Sequence, residues 1–447
     1  MKQMRNAFLS SQFDGNGELR SPGKAVQGSE VEEAVRSSGG SAMPDVKGVG
    51  DGGRWRSKRL GELGSSIFSE VSQWKREAMA NGMDVIDLGI GSPDKPPSEA
   101  VRNTLAKAAL RLDNYMYPAI KSDMPFKETA ARWMDHRFGV KCEPAAEMVT
   151  LLGSQDGLAH LAMAICDPGD IALLPDPGYP IYTASLALAG VQPVMMPLRA
   201  ENGYLPDLDA ISDEVWRSAK LLLVNYPNNP LSAIADLDFF RRLLKKAEMY
   251  DVLIVQDLAY SEMGFDGVVP PSILQVEGAF RYAVEFHSLS KSFNMAGCRI
   301  GFLAGNRDAV GALRELKANI DYGAFYPVQE AGIAALREAM ENTGYERAGS
   351  LYERRRNRFV EALQRIGWEV ELPKATMFLW AKLPEMKWGG NWDSRTFSQE
   401  LLRKAGVVVI PGEAFGQEGK GFVRIALVED EERLLEAAER IGAFIAE

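Results

Sequence analysis

The stretch Ser288-Leu289-Ser290-Lys291-Ser292-Phe293 sets a lysine among hydroxyls, and Arg299 follows eight residues after the lysine. Upstream, Tyr282, Ala283, Val284 and Phe286 are apolar and β-prone, so the lysine stands where a buried strand runs into a polar turn. An amine attacks an aldehyde only when it is neutral, and partial desolvation beside a cation lowers its pKa in that direction. A lysine so placed could anchor an aldehyde cofactor as a Schiff base, while Arg299 and the serines hold a phosphate dianion. Taken alone, the stretch reads more readily as a surface turn carrying an ordinary lysine.

Four further signals change that balance. Gly153-Ser154-Gln155-Asp156-Gly157 lies between a strand-like and a helix-like run, with Ser154 as the expected N-cap and the first free N–H groups as an anion site. Asp176-Pro177-Gly178-Tyr179-Pro180-Ile181-Tyr182 is a stiff loop whose Tyr179 could stack on a flat heteroaromatic ring. Asn225-Tyr226-Pro227-Asn228-Asn229-Pro230 reads as a stiffened hydrogen-bonding loop. Asp257 ends the apolar run before Leu258-Ala259-Tyr260. A carboxylate there is costly without a cationic partner, and a protonated pyridine nitrogen would be one. Singly these are a helix cap, a core tyrosine, a turn and a structural salt bridge. Together they make a phosphate cradle, a ring stacker, ring-oxygen donors, a pyridinium carboxylate and a Schiff-base lysine, and that set points to pyridoxal phosphate.

The elements that must position these groups alternate. Helices are expected over 98–111, 123–138, 155–166, 180–189, 236–250 and 307–321. Strands are expected at Met148–Leu152, Ile171–Leu174, Val191–Met196, Lys220–Asn225, Val252–Gln256, Ala283–His287 and Ile300–Ala304. This alternation predicts an α/β fold with a large, mostly parallel seven-stranded sheet, whose ligands sit outside the carboxyl ends of the strands. A helix over 66–80 and a short strand over 85–89 precede the Gly91 loop. Beyond 326 the texture shifts to a smaller α+β region. There a long charged helical run (329–366) is followed by strands at Trp368–Glu371, Met377–Leu383, Val407–Ile410 and Phe422–Leu427, and by helices at Ser394–Lys404 and Glu429–Ala446. The expected organisation is a disordered extension over 1–60 (with one short helical pattern at 30–36), an arm over 61–96 joining the small domain, a large cofactor-binding domain over 97–325 and a small domain over 326–447.

Bulk properties narrow the class. The chain has 447 residues, a net charge of −10 and 46% hydrophobic residues. This argues for a soluble, cytoplasmic protein and against nucleic-acid binding. Three cysteines and three histidines show no paired metal spacing, so no metal site is expected. No apolar run reaches membrane-spanning length, and no signal-like apolar core opens the chain.

From about 63 to 446 the chain resembles the class I/II aminotransferases of the fold type I pyridoxal-phosphate enzymes. The stretch from Ser288 to Gly301, with Lys291 and Arg299, is similar to that family's lysine signature. The resemblance implies that Lys291, Asp257 and Tyr260 are catalytic: Lys291 bonds the cofactor and then moves the proton, and Asp257 pairs the ring nitrogen. Asn229 and Tyr260 would bond the ring oxygen and Tyr179 would stack on the ring. Ser154, Gln155, Ser288, Ser290 and Arg299 would surround the phosphate, and Tyr117 would reach over from the partner of a homodimer. Arg424, in Phe422-Val423-Arg424-Ile425, would grip the substrate α-carboxylate, with Gly91 and Asn229 beside it. The asparagine motif departs from the family's usual Pro-Thr-Gly by continuing Pro230-Leu231-Ser232. Leu88–Asp94 and Asn294–Gly297 resemble most the diaminopimelate, alanine and aspartate aminotransferases. The expected reaction therefore moves an amino group between an L-amino acid and a 2-oxo acid. A β-eliminating lyase or cyclising synthase on the same scaffold is the alternative. A non-enzymatic regulatory domain fits less well, since residues 1–60 lack paired periodic helices.

Overall fold

Seven strands form the main sheet: β2 (Met148–Leu151), β3 (Ile171–Asp176), β4 (Gln192–Pro197), β5 (Ala219–Asn225), β6 (Leu253–Asp257), β7 (Ala283–Ser288) and β8 (Gly301–Gly305). The computed structural model describes residues 55, 57–61, 63, 66–118, 122–384 and 392–446. The extension expected over 1–60 lies, apart from 55 and 57–60, outside the described residues, as does the helical pattern at 30–36.

The strand order is β2-β8-β7-β6-β5-β3-β4. All neighbours are parallel except β8, which is antiparallel to both β7 and β2. Central strands covered on both faces need apolar side chains in both directions, and Leu221 to Val224 of β5 are accordingly all buried. The reversed β8 has a positional effect. It brings residues just before Gly301 to the same edge as the carboxyl ends of β2, β5, β6 and β7, with Ser288 opposite Gly301 and Asn225 opposite Asp257.

The helices that cover the sheet follow amphipathic periodicity. The helix Leu237–Tyr250 starts at Asp236, whose carboxylate accepts from Phe239 N–H at 2.7 Å. It buries Phe239, Phe240, Leu243, Leu244 and Ala247 on one face and stops at Asp251 in the left-handed conformation (φ 57°). The expected helices of this region all form, each within two residues of its expected limits.

A second apolar cluster gathers β9 (Phe378–Lys382) and β12 (Phe422–Ala426) with the helices Ala348–Arg365 and Glu431–Ala446. β11 (Ile410–Pro411), β12 and β9 form an antiparallel sheet, while β1 (Ile86–Asp87) pairs in parallel with β10 (Val407–Val408). The single strand expected at Val407–Ile410 is thus two, with buried Val409 at the crossing from one sheet to the other. Leu88 is held from both sides: its N–H donates to Val408 O at 3.0 Å, and its carbonyl accepts from Ala426 N–H at 2.7 Å. That clamp fixes the approach to Gly89 and Gly91.

Two expectations are corrected. The run over 329–366 is two helices, Tyr326–Glu341 and Ala348–Arg365, because the Asn342 side chain accepts from Gly344 N–H at 2.9 Å and turns the chain. Trp368–Glu371 is not a strand. Trp368 is buried with its indole donating to Lys382 O at 2.8 Å, so the segment is pinned by a side chain rather than by a ladder.

Candidate active site

The carboxyl edge of the main sheet opens into a cavity of about 310 Å³, and every predicted site residue except Tyr117 lines it. Tyr117 is exposed on this chain and packs edge-on against Tyr322 at 5.6 Å.

Lys291 sits in the short helix Leu289–Ser292, which Ser288 caps by accepting from Ser290 N–H at 3.2 Å. The lysine amine donates to the carbonyl of Gly91. Burial, together with the cations Arg424 and Arg299, pulls its pKa down to about 8. A substantial neutral fraction near neutral pH is what attack on an aldehyde requires.

Asp257 ends β6 fully buried. Burial pushes its carboxyl up to about 6, against the pull of the Tyr182 hydroxyl, which donates to Oδ2 at 2.8 Å. Its other oxygen, Oδ1, is buried without a hydrogen-bond partner. A buried carboxylate oxygen left open on a cavity wall calls for a cation or donor from a ligand. Asn225, paired with Asp257 across β5 and β6, donates to the Asp257 carbonyl at 2.7 Å, and its Oδ1 accepts from Asn229 N–H at 2.8 Å. Burial holds the Tyr260 phenol well above its usual range, so it stays a neutral donor.

The end expected to hold an anion is built on backbone. The helix Ser154–Ile165 is capped by Gly153 (φ 79°), not by Ser154 as expected, and the cap makes no side-chain hydrogen bond. Ser154 is therefore the first helical residue, which leaves its hydroxyl and N–H and the Gln155 N–H without a capping duty at the positive end of the helix. Arg299 crosses that end, its guanidinium 2.8 Å from where a Cβ at position 153 would lie, and the positive φ of Gly153 makes any side chain there strained. Arg299 itself takes the left-handed conformation (φ 55°) and donates to Ala296 O at 3.0 Å. Tyr179 donates from its hydroxyl to Gln155 at 3.1 Å.

Opposite lies Arg424 on β12, 4% exposed. Its guanidinium is sandwiched by the rings of Phe378 and Phe415, at 4.4 and 4.7 Å from their centroids. It donates to Asn229 Oδ1 at 3.0 Å and to Gly89 O at 2.6 Å, while Nε has no partner. Burial lowers its pKa to about 10. Among the described residues no carboxylate pairs with it. Gly91 has no room for a side chain, since a Cβ would lie 2.5 Å from the Phe378 ring.

The departure at Pro230-Leu231-Ser232 has a local account. Ser232 occupies the left-handed region (φ 58°) that glycine adopts at low cost, and its hydroxyl bonds Thr376 Oγ1 at 2.6 Å and Phe378 O at 2.9 Å. These contacts offset the strain and tie the asparagine loop to the segment entering β9. Sequence reasoning missed the roles of Tyr182, Asn225 and Gly153. Tyr182 and Asn225 lay inside quoted motifs, but only the packing of the helix Ile181–Ala189 and the β5–β6 register show that the two converge on Asp257.

The family model for aminotransferase class I and II matches residues 83–441. The LL-diaminopimelate aminotransferase of Halothermothrix orenii is 43% identical over 383 residues, covering 86% of this chain and 97% of the relative. A solved structure of a probable N-succinyldiaminopimelate aminotransferase from Thermus thermophilus is 40% identical with a TM-score of 0.78, covering 85% of this chain and all of that one. Substrate-bound BacF from Bacillus subtilis is 35% identical with a TM-score of 0.80, covering 87% and 97% of the two chains.

Proposed function

Since the chain belongs to the aminotransferase class I and II family, we propose that it moves an amino group from LL-diaminopimelate to a 2-oxo acid, with pyridoxal phosphate bound in the cavity at the sheet edge. That it is an aminotransferase follows from the family and its relatives. The choice of substrate rests on the names of relatives such as that of H. orenii, with an alanine- or aspartate-like amino acid as the neighbouring choice within the same chemistry.

One observation carries the reading: a depressed lysine, a half-satisfied buried carboxylate and a buried arginine without a carboxylate share one cavity. Members of the family use pyridoxal phosphate, which when bound supplies an electron sink for the bond to be broken at the substrate Cα. The residues present fit it. Oδ1 of Asp257 is free for a protonated ring nitrogen, and Tyr260 and Asn229 can donate to a ring oxygen. Tyr179 can cover the ring, and the Ser154 and Gln155 amides with Ser288, Ser290 and Arg299 can surround a phosphate. Lys291, with its pKa near 8, would hold and move the proton at the substrate Cα. Arg424 would present its fork to the α-carboxylate, a pairing that its apolar sandwich would strengthen.

The chain acts as a homodimer in this proposal, in the cytoplasm. Exposed Leu110, Leu112, Tyr115, Tyr117, Tyr322 and Phe325 form the kind of apolar surface that a second copy would cover, and Tyr117 would then serve the partner's site. No helix among the described residues is long and apolar enough to cross a membrane. The proposal is tested by incubating the purified protein with pyridoxal phosphate, LL-diaminopimelate and 2-oxoglutarate. Glutamate formation dependent on both substrates supports it. Release of ammonia without need of the oxo acid would indicate a lyase instead.

A further inference from the structure

The proposed reaction leaves unused one charged pair on the cavity wall. Lys75, on the helix Ser66–Ala80, and Asp87, at the end of β1, both line the cavity that holds Lys291 and Arg424. Lys75 Nζ lies 2.6 Å from Asp87 Oδ2, and the two side chains are 30% and 17% exposed. Asp87 is fixed by its other oxygen, which accepts from Gly89 N–H at 2.9 Å. The carbonyl of that same Gly89 accepts from Arg424 at 2.6 Å. A single residue of backbone therefore ties this pair to the arginine expected to hold the α-carboxylate. The nearby lining includes the apolar Phe68, Val71, Val408 and Ile410, along with Ser72.

We propose that Lys75 and Asp87 form a dipolar subsite that reads the distal α-amino-acid head of the substrate, the carboxylate against Lys75 and the ammonium against Asp87. The inference rests on the diaminopimelate reading above. That substrate carries two amino-acid heads joined by a short methylene chain, and this cavity holds charged groups for both heads, with apolar side chains lining it as well. A wall holding both signs favours a head that also carries both. A lone distal carboxylate gains Lys75 but is repelled by Asp87, and a lone distal ammonium meets the reverse. The bland alternative is a brace between helix and strand that merely sets the Gly89 loop. It predicts the same loss for every substrate, because the loop touches Arg424 whatever the distal group.

The test compares kcat/KM of the holoenzyme for LL-diaminopimelate, L-lysine (no distal carboxylate) and L-2-aminopimelate (no distal amine). The wild type should rank LL-diaminopimelate first. Lys75→Gln, which keeps a donor toward Asp87, should lower the LL-diaminopimelate to L-lysine ratio about threefold to fivefold, the scale of one partly exposed ion pair. Asp87→Asn, which keeps an acceptor for Gly89 N–H, should lower the LL-diaminopimelate to L-2-aminopimelate ratio by a similar factor. Ratios unchanged in both variants, whether or not absolute rates fall, would overturn the subsite and leave the substrate reading standing. A wild type that turns over the two analogues but not LL-diaminopimelate would overturn the substrate reading, and the subsite with it.

Discussion

Two buried arginines in this molecule are treated in opposite ways. Arg356, 1% exposed, gives both terminal nitrogens to Asp266 at 2.7 and 2.9 Å, its Nε to Asn357 at 2.9 Å and a further bond to Pro373 O at 2.7 Å. Arg424 is almost as buried, yet it meets only an amide oxygen and a carbonyl, and its Nε is free. A guanidinium removed from water needs a counter-charge, and Arg356 has one within the fold. Arg424 lacks it, as Asp257 lacks a partner for Oδ1, and both open on the same cavity. For these two arginines, completed pairing goes with a place away from the cavity. Pairing left incomplete on a cavity wall marks where a ligand is expected to supply the rest.

The strongest way to break this contrast is Asp257→Asn. If the carboxylate serves a ring nitrogen, turnover should fall about 10²–10³-fold, the range for removing one preorganised charge. Stability of the cofactor-free protein should move the other way. The folded pKa of Asp257 is raised from 3.8 to about 6. The folded state therefore bears no penalty below pH of about 4 and the full one above pH of about 6. By linkage the variant should gain up to about 3 kcal/mol over wild type at neutral pH. Denaturant unfolding at both pH values checks this, and a variant less stable than wild type at pH 7 would mean that Asp257 is structural.

Next in size is Arg424→Lys, which keeps the charge and loses the fork. Transition-state binding should weaken by about 2–4 kcal/mol for every amino-acid substrate, while amines without an α-carboxylate barely respond. Steady-state kinetics on both substrate kinds separates this from loss of cofactor. Arg356→Met should do the reverse. Stability should drop by about 1–3 kcal/mol because a bidentate ion pair to half-exposed Asp266 and two other bonds go, with kcat/KM within about twofold of wild type. If Arg356→Met is as inactive as Arg424→Lys, the contrast carries no functional meaning.

The smallest effect is a pH profile. Lys291 is pulled from 10.5 to about 8 by burial and two neighbouring arginines. The neutral amine is the reactive form, so the rate at which cofactor-free protein captures pyridoxal phosphate should rise with pH and level off above about 8. Stopped-flow absorbance measures it, and a midpoint near the ordinary lysine value would remove the proposed activation.

How far the sequence alone reaches also differs between the two regions. In the main sheet, apolar runs and alternating helices made the strand ends visible, so twelve of the thirteen expected site residues line one cavity and only Tyr117 does not. What stayed hidden depends on side-chain direction and register. Tyr182 reaches Asp257 only through the way the helix Ile181–Ala189 packs, and Asn225 does so through the β5–β6 register. Beyond 326, short two-sided elements blurred the pattern. Trp368 made an extended segment look like a strand, and Val409 hid a change of sheet. Ser232 shows a third limit, since a serine in a left-handed position is legible only once its hydroxyl partners are seen.

The central claim, that Lys291 is the amine that bonds the cofactor, is tested most directly by borohydride reduction of the protein reconstituted with pyridoxal phosphate, followed by peptide mass mapping. The account predicts one equivalent of reduced pyridoxyl phosphate on the peptide containing Lys291, and none after addition of an amino-acid substrate that releases the lysine. Label on any other lysine, Lys75 included, or no label at all, would contradict it.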